Sequence, residues 1–401
     1  MGLMFLIPRT MQAIVYRGAN DLRLETVPVP RIGPGDLLVR VAACGVCPTD
    51  IKKIHYGTVP PPRIFGHETA GTIVRTGSRV GQFKVGERVA LHHHVPCLEC
   101  HACRHQAFAQ CAQYKRTGIT AGFEPAGGGY AEYVRVMPFV LPGVVRIPAR
   151  NTFLEGAMLE PVNTVLKAVK RLALLRGDTV LVTGQGPIGL MFTRLLALRG
   201  MRVVATDLLP TRLRLAREFG ATVVHCPKSE ARNPKTERNL KPEIRMCHQA
   251  SPHHSSTLPA HHSQSVDLQL SSLINDLTSG RGLDAAVIAV PSDVVVREAQ
   301  ALVRGAGQVL LFSHTRRGDQ TPLDLATVCV DEKDLIGSYS SDFRLQAEVA
   351  RLVFTRKLDT RRLITHRFPL ARTAAGVELA SHPTAESLKV VVVQGFDVGS
   401  G

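Results

Sequence analysis

The sequence predicts an α/β protein in two parts, a doubly wound parallel sheet and a separate β-rich domain. From about Val162 to Leu335, apolar strands alternate with longer helical patterns, the texture of parallel βαβ units. Between Met11 and about Leu141, short apolar runs are instead punctuated by Gly and Pro, which reads as β-rich. At 401 residues the chain also exceeds the length at which one core usually stops growing, so two domains are expected.

The composition is that of a folded chain: 44% hydrophobic and 20% charged residues exclude disorder throughout. No apolar run reaches the roughly 20 residues that span a bilayer, and the opening Met1 to Pro8 lacks a basic leader and cleavage site. A cytoplasmic protein without a membrane partner is therefore expected, with Met11 a candidate start of the folded chain. The net charge of +16 raises the question of nucleic acid. The basic residues are spread along the whole chain, however, and Trp is absent, so no nucleic-acid partner is expected.

In chain order, strands are predicted at Leu37–Val41, Gly71–Val74 and Arg88–Leu91. They place residues 11–161 in one domain. A buried strand at Thr179–Gly184, a helix at Ile188–Leu198 and a strand at Arg202–Asp207 open the second, 162–335. A further strand at Leu283–Val290, a helix at Val294–Val303 and a strand at Gly307–Phe312 continue it. Between them, 228–265 is rich in Pro, Ser and His and has almost no apolar periodicity, so a disordered insertion is expected. A helix at Leu345–Phe354 and a strand at Leu388–Val393 belong to a tail, 336–401, that returns to complete the first domain.

Cys97, Cys100, Cys103 and Cys111 form C-x2-C-x2-C-x7-C. Four thiolates so spaced can close a tetrahedron around one Zn²⁺ and leave no position for water, which predicts a structural site.

A second set is predicted to be catalytic. "CGVCPTD" (Cys44–Asp50) and "GHE" (Gly66–Glu68) offer a thiolate and an imidazole, Cys47 and His67, as zinc ligands. Glu160 in "LEPVNT" is a third ligand or a carboxylate that holds a zinc-bound water, and Glu68 competes for that role. Three protein ligands leave a fourth position open, where a Lewis acid can act on a substrate hydroxyl. Asp50 can accept the second ring N–H of His67 and fix its tautomer. Thr49, beside Cys47, offers a hydroxyl to take the alcohol proton.

Gly184, Gly186 and Gly189 make G-x-G-x-x-G between a strand and a helix, with Pro187 and Ile188 opening the helix. The glycines allow a tight turn and close approach to a pyrophosphate, which the helix N-terminus attracts. Asp207, ending the next strand, is placed for the adenosine ribose, so NAD is expected over NADP; Arg212 nearby is the feature that would admit NADP. Val290, with Pro291, ends a later strand and can border the nicotinamide.

In their order, "CGVCPTD", "GHE", "HHHVPC", the four-cysteine loop, "GGYAEYV", "LEP", "VTGQGPIG", "GRGLD" and "SLKVVVV" resemble the zinc-containing medium-chain dehydrogenases, from about Met11 to Val393. That resemblance implies a GroES-like catalytic domain holding two zincs, one catalytic and one structural, a Rossmann domain for the nucleotide, and a homodimer or homotetramer. Glu160-Pro161 is similar to the sorbitol, threonine and sugar-alcohol branches, where simple alcohol dehydrogenases typically carry Cys. The expected reaction is hydride transfer from a secondary alcohol, in a polyol, sugar alcohol or hydroxy amino acid, to NAD. Pro48 and Lys52 depart from the family's usual residues, and Lys52 stands where many members have a proton-relay His. The rival readings are a catalytically silent zinc and nucleotide binder and a simple primary-alcohol dehydrogenase.

Overall fold

The structure, a computed structural model, describes residues 6–92, 95–117, 127–227, 267–313, 318 and 320–394. The expected insertion, 228–265, lies outside them. The chain divides into two compact units, Met1–Lys167 with Tyr339–Gly401, and Ala168–Ser338.

In the first unit a hairpin, β1 (Thr10–Gly18) and β2 (Asp21–Pro28), precedes the central strand β3 (Leu37–Gly45). Helix α1 (Pro48–Tyr56) follows, then β4 (Glu68–Thr76) and β5 (Arg88–Leu91). Short helices α2 (His101–Arg104) and α3 (Ala112–Thr117) lie in the four-cysteine segment. Strands β6 (Tyr133–Val136) and β7 (Val145–Arg146) lead to α4 (Phe153–Ala157) and α5 (Leu159–Val169).

The second unit is a six-stranded parallel sheet. Its elements are β8 (Thr179–Thr183), α6 (Pro187–Leu198), β9 (Arg202–Thr206), α7 (Pro210–Glu218), β10 (Val223–His225), α8 (Leu268–Thr278), β11 (Leu283–Ile288), α9 (Asp293–Leu302), β12 (Val303–Leu311), α10 (Leu325–Val330) and β13 (Asp334–Gly337). The strand order is β10-β9-β8-β11-β12-β13, so the winding reverses between β8 and β11, the crevice where such sheets bind ligands. All residues of β8 and β11 are buried, as expected of strands covered on both faces by helices.

The chain then returns to the first unit through α11 (Gln346–Phe354), β14 (Ile364–Pro369), α12 (Thr373–Ser381) and β15 (Lys389–Val393). The larger sheet there runs β14-β15-β3-β4-β5-β7. Along one side β3 pairs with β4; along the other its first half pairs with β6 and its last residues, Ala43 to Gly45, with β15. The C-terminal strand is thereby brought beside the end of β3 from which Cys47 emerges.

The doubly wound sheet and the β-rich domain are those the sequence predicts. Two details differ. Strand β12 begins at Val303, straight from α9, and a register shift absorbs the extra residues, with Ala306 in the left-handed region (φ 54°). Strands β10, β13 and β14 carry no clear apolar run; β14 alternates half-buried and exposed residues and leaves little pattern to read.

Candidate active site

Cys47 caps α1 from outside: Pro48 occupies the first helical turn, where its missing N–H costs nothing, and the Cys47 Sγ accepts the backbone N–H of Thr49 at 3.4 Å. Half-buried Thr49 therefore sits directly beside the thiol. Gly45 of β3 pairs with Glu68 of β4, so the two motifs leave the sheet at the same end. Two glycines make the approach possible. A Cβ on Gly45 would lie 1.8 Å from Glu68 Oε2, and one on Gly66, whose φ is +98°, would lie 2.7 Å from Cys44 Sγ.

The result is a compact group in which ligand atoms of Cys47, His67 and Glu68 all lie within 4.8 Å of one another. Glu160, at the start of α5, is buried (4% exposed) but stands outside that group. Its carboxyl is pushed up by burial, against the opposing pull of His67 and His92.

Around this group the charges are arranged as a metal site requires. Asp50, wholly buried, accepts from or pairs with His67 Nδ1 at 3.1 Å and takes the backbone N–H of Gly66 at 3.3 Å. Burial works against the imidazolium of His67, but Asp50 and Cys47 outweigh it and hold the pKa well above its ordinary value. Negative groups that draw a proton onto a buried imidazole also favour a bound cation. One ring nitrogen engaged by Asp50 leaves the other for a ligand bond.

Glu68 has a partner that the sequence reading did not single out. Lys389, at the start of β15, places Nζ 2.6 Å from Glu68 Oε1 and 2.5 Å from Oε2, and donates to Val46 O at 2.9 Å. Burial raises the Glu68 pKa while Lys389 lowers it; burial lowers that of Lys389, but Glu68 outweighs it and leaves the amine raised. The available signal was a lysine at the head of an all-apolar strand. Buried His92, whose Nε2 lies 3.5 Å from Ser341 Oγ, was likewise passed over. His93 and His94 lie outside the described residues.

The four cysteines come together as well. Cys97, Cys100, Cys103 and Cys111 have their sulfurs mutually within 4.8 Å, with separations of 3.5 Å (Cys100–Cys103), 3.7 Å (Cys111–Cys97) and 3.9 Å (Cys97–Cys103). A tetrahedron with Zn–S bonds of about 2.3 Å has edges of about 3.8 Å, so the donor set fits a closed zinc site. Backbone N–H groups of Glu99 and Cys100 pull the Cys97 thiol down to about 6, toward the thiolate that binds metal. None of the cysteines among the described residues is in a disulfide.

In the second unit the glycine loop follows β8. Gly184 has φ +80°, and a Cβ there would lie 2.3 Å from Val290 Cγ1, which places Val290 against the loop. A Cβ on Gly189 would lie 1.7 Å from Gly184 O, so helix and strand pack too closely for any other residue. Gly186 caps α6 facing open space, with Pro187 next and Ile188 half-buried. Asp207 accepts the N–H of Gln185 at 2.6 Å and of Leu209 at 2.9 Å, bracing the loop in addition to any role toward ribose. Arg212 Nη1 is 3.9 Å from Asp207 Oδ2. Among the described residues no helix is long and apolar enough to cross a membrane.

The chain is also similar to known proteins. Residues 33–148 match the alcohol dehydrogenase GroES-like domain. The chain is 28% identical to a sorbitol dehydrogenase of Bacillus subtilis, over 96% of this chain and 98% of that protein. It is also 28% identical to an erythritol/L-threitol dehydrogenase of Mycolicibacterium smegmatis, over 96% and 98%. Among solved structures, an alcohol dehydrogenase of Thermotoga maritima superposes with a TM-score of 0.79 over 96% of this chain and all of its own, at 23% identity, a likeness of fold.

Proposed function

The chain belongs to the zinc-containing medium-chain dehydrogenase/reductase family, and from that premise we propose that it oxidises a secondary alcohol of the polyol or sugar-alcohol class with a nicotinamide dinucleotide as hydride acceptor. The observation that carries the reading is the convergence of Cys47, His67 and Glu68 within 4.8 Å at the ends of β3 and β4. The sorbitol and erythritol/L-threitol dehydrogenases to which the chain is similar along nearly its whole length support the polyol class.

In this reading Cys47 and His67 would hold the catalytic zinc together with a carboxylate, either Glu68 of the same group, which is paired with Lys389, or Glu160 from the start of α5. The zinc supplies a Lewis acid that makes a substrate hydroxyl acidic. Asp50 keeps His67 in one tautomer and orientation. Thr49 would receive the hydroxyl proton, and the half-buried Lys52, three residues further along the same helix, would carry it onward. A bound nicotinamide would supply the hydride acceptor for the carbinol carbon, and Val290, packed against the glycine loop, would border it. Gly184, Gly186 and Gly189 admit the pyrophosphate at the N-terminus of α6. The four cysteines would hold a second zinc, which would order their lobe.

NAD is the preferred cofactor, because the Asp207 carboxylate repels a 2′-phosphate. A cytoplasmic setting suits the four free thiols of the lobe, and a homo-oligomer is expected from the resemblance. The test is NADH formation by the purified protein on a panel of sorbitol, xylitol, erythritol, butane-2,3-diol, threonine and primary alcohols, with and without a zinc chelator. Chelator-sensitive activity on secondary alcohols supports the proposal; activity that survives complete removal of metal overturns the mechanism.

A further inference from the structure

Glu160, Asn163 and Lys167 occur at i, i+3 and i+7 of α5 and share one face of that helix. Asn163 is wholly buried. It is held by three hydrogen bonds to one segment: Nδ2 donates to Asp342 O at 3.0 Å and to Gln346 Oε1 at 2.9 Å, and Oδ1 accepts from Asp342 N at 2.9 Å. One helical turn further, Lys167 Nζ donates to Tyr339 O at 2.8 Å. The segment 339–346 is thus laced along the face whose other end is Glu160.

The opposite side of that segment rests on the four-cysteine lobe. Phe343 packs edge-on against Phe108, with ring centroids 5.7 Å apart, and Phe108 belongs to the cluster of Cys103, Cys111 and Tyr114. Arg344 grips Asp342 (Nη2 to Oδ2, 2.7 Å), lies 4.6 Å from the centre of the Phe108 ring and donates to Gln106 Oε1 at 3.0 Å.

We infer that Asn163 is a positioning residue: by fastening the segment 339–346 between α5 and the four-cysteine lobe, it fixes how α5 presents the Glu160 carboxylate to the catalytic group. A buried amide is kept only where its hydrogen bonds are made, and three of the four available to an Asn side chain are made here. An apolar residue of similar size would make none of these three hydrogen bonds and would let the segment slide. The inference rests on the reading of Glu160 as a zinc ligand.

The test is cobalt(II) titration of the metal-free full chain, which separates a four-thiolate site from a one-thiolate site by their charge-transfer bands. In Asn163→Leu the one-thiolate site is expected to weaken about 10- to 100-fold, the range found when groups that orient metal ligands are removed, while the four-thiolate bands stay unchanged. Asn163→Ser, which retains one donor and one acceptor, is expected to fall between and carries the test if the leucine variant does not fold. Glu160→Gln is measured alongside. If Glu160→Gln weakens the one-thiolate site and the Asn163 variants do not, the positioning role is overturned and the ligand reading stands. If Glu160→Gln leaves that site unchanged, the ligand reading fails and the inference falls with it.

Discussion

Lys389 Nζ stands 2.5 Å from Glu68 Oε2, and both side chains are buried within the sheet end that carries Cys47 and His67. The pair joins β15 to the first residue of β4, and it exists because β15 docks on the closing residues of β3. Removing one partner of a buried pair leaves a desolvated charge, at a cost of about 3–5 kcal/mol. Lys389→Met is expected to destabilise by that order in chemical denaturation, and the double variant Glu68→Gln with Lys389→Met to recover part of the loss. Equal stabilities for all three proteins would remove the pair from the account.

Asp207 binds two backbone N–H groups and is close to Arg212. Asp207→Ala removes the charge that repels a 2′-phosphate, leaves Arg212 to attract one and loosens the glycine loop. The ratio of kcat/KM for NAD to that for NADP is expected to fall by about 10- to 100-fold, the worth of one or two charge-assisted hydrogen bonds. An unchanged ratio would place cofactor choice elsewhere.

Asp284, in "GRGLD", is 5% exposed and ties β11 to its neighbours through Thr179 N (2.8 Å) and Arg304 Nε (2.7 Å). Burial alone would raise its pKa, but Arg304 and the Thr179 N–H outweigh burial and lower it. A carboxylate lowered in the folded state contributes stability fully above its unfolded pKa, about 3.9, and loses it as pH falls through the folded value. Asp284→Asn is expected to cost about 1–3 kcal/mol at neutral pH. The difference from wild type should shrink steadily below about pH 4. A difference independent of pH in urea titrations at several acidities would show that the carboxylate's charge is not what matters.

Much of the site was legible because its chemistry is packed into short motifs: the four-cysteine spacing, "CGVCPTD", "GHE" and the glycine loop. Periodicity identified the buried strands β8 and β11. Lys389 was not legible, since its role follows from the antiparallel docking of β15 on β3, a pairing across more than 340 residues. Asn163 was hidden for the same reason: its partners, Asp342 and Gln346, come from the far end of the chain. The choice between Glu68 and Glu160 was also beyond the sequence: Glu68 falls in the group with Cys47 and His67 and is paired with Lys389, whereas Glu160 is buried outside that group.

The central claim is that Cys47 and His67 share one zinc while the four cysteines hold another, matching the two groups seen here. Zinc content and NADH formation on a secondary polyol, measured together for the wild type and Cys47→Ser, test it most directly. The account predicts two zinc ions per wild-type chain, and for Cys47→Ser one zinc and activity at background. Two zinc ions retained by Cys47→Ser, or undiminished polyol oxidation by it, would contradict the account.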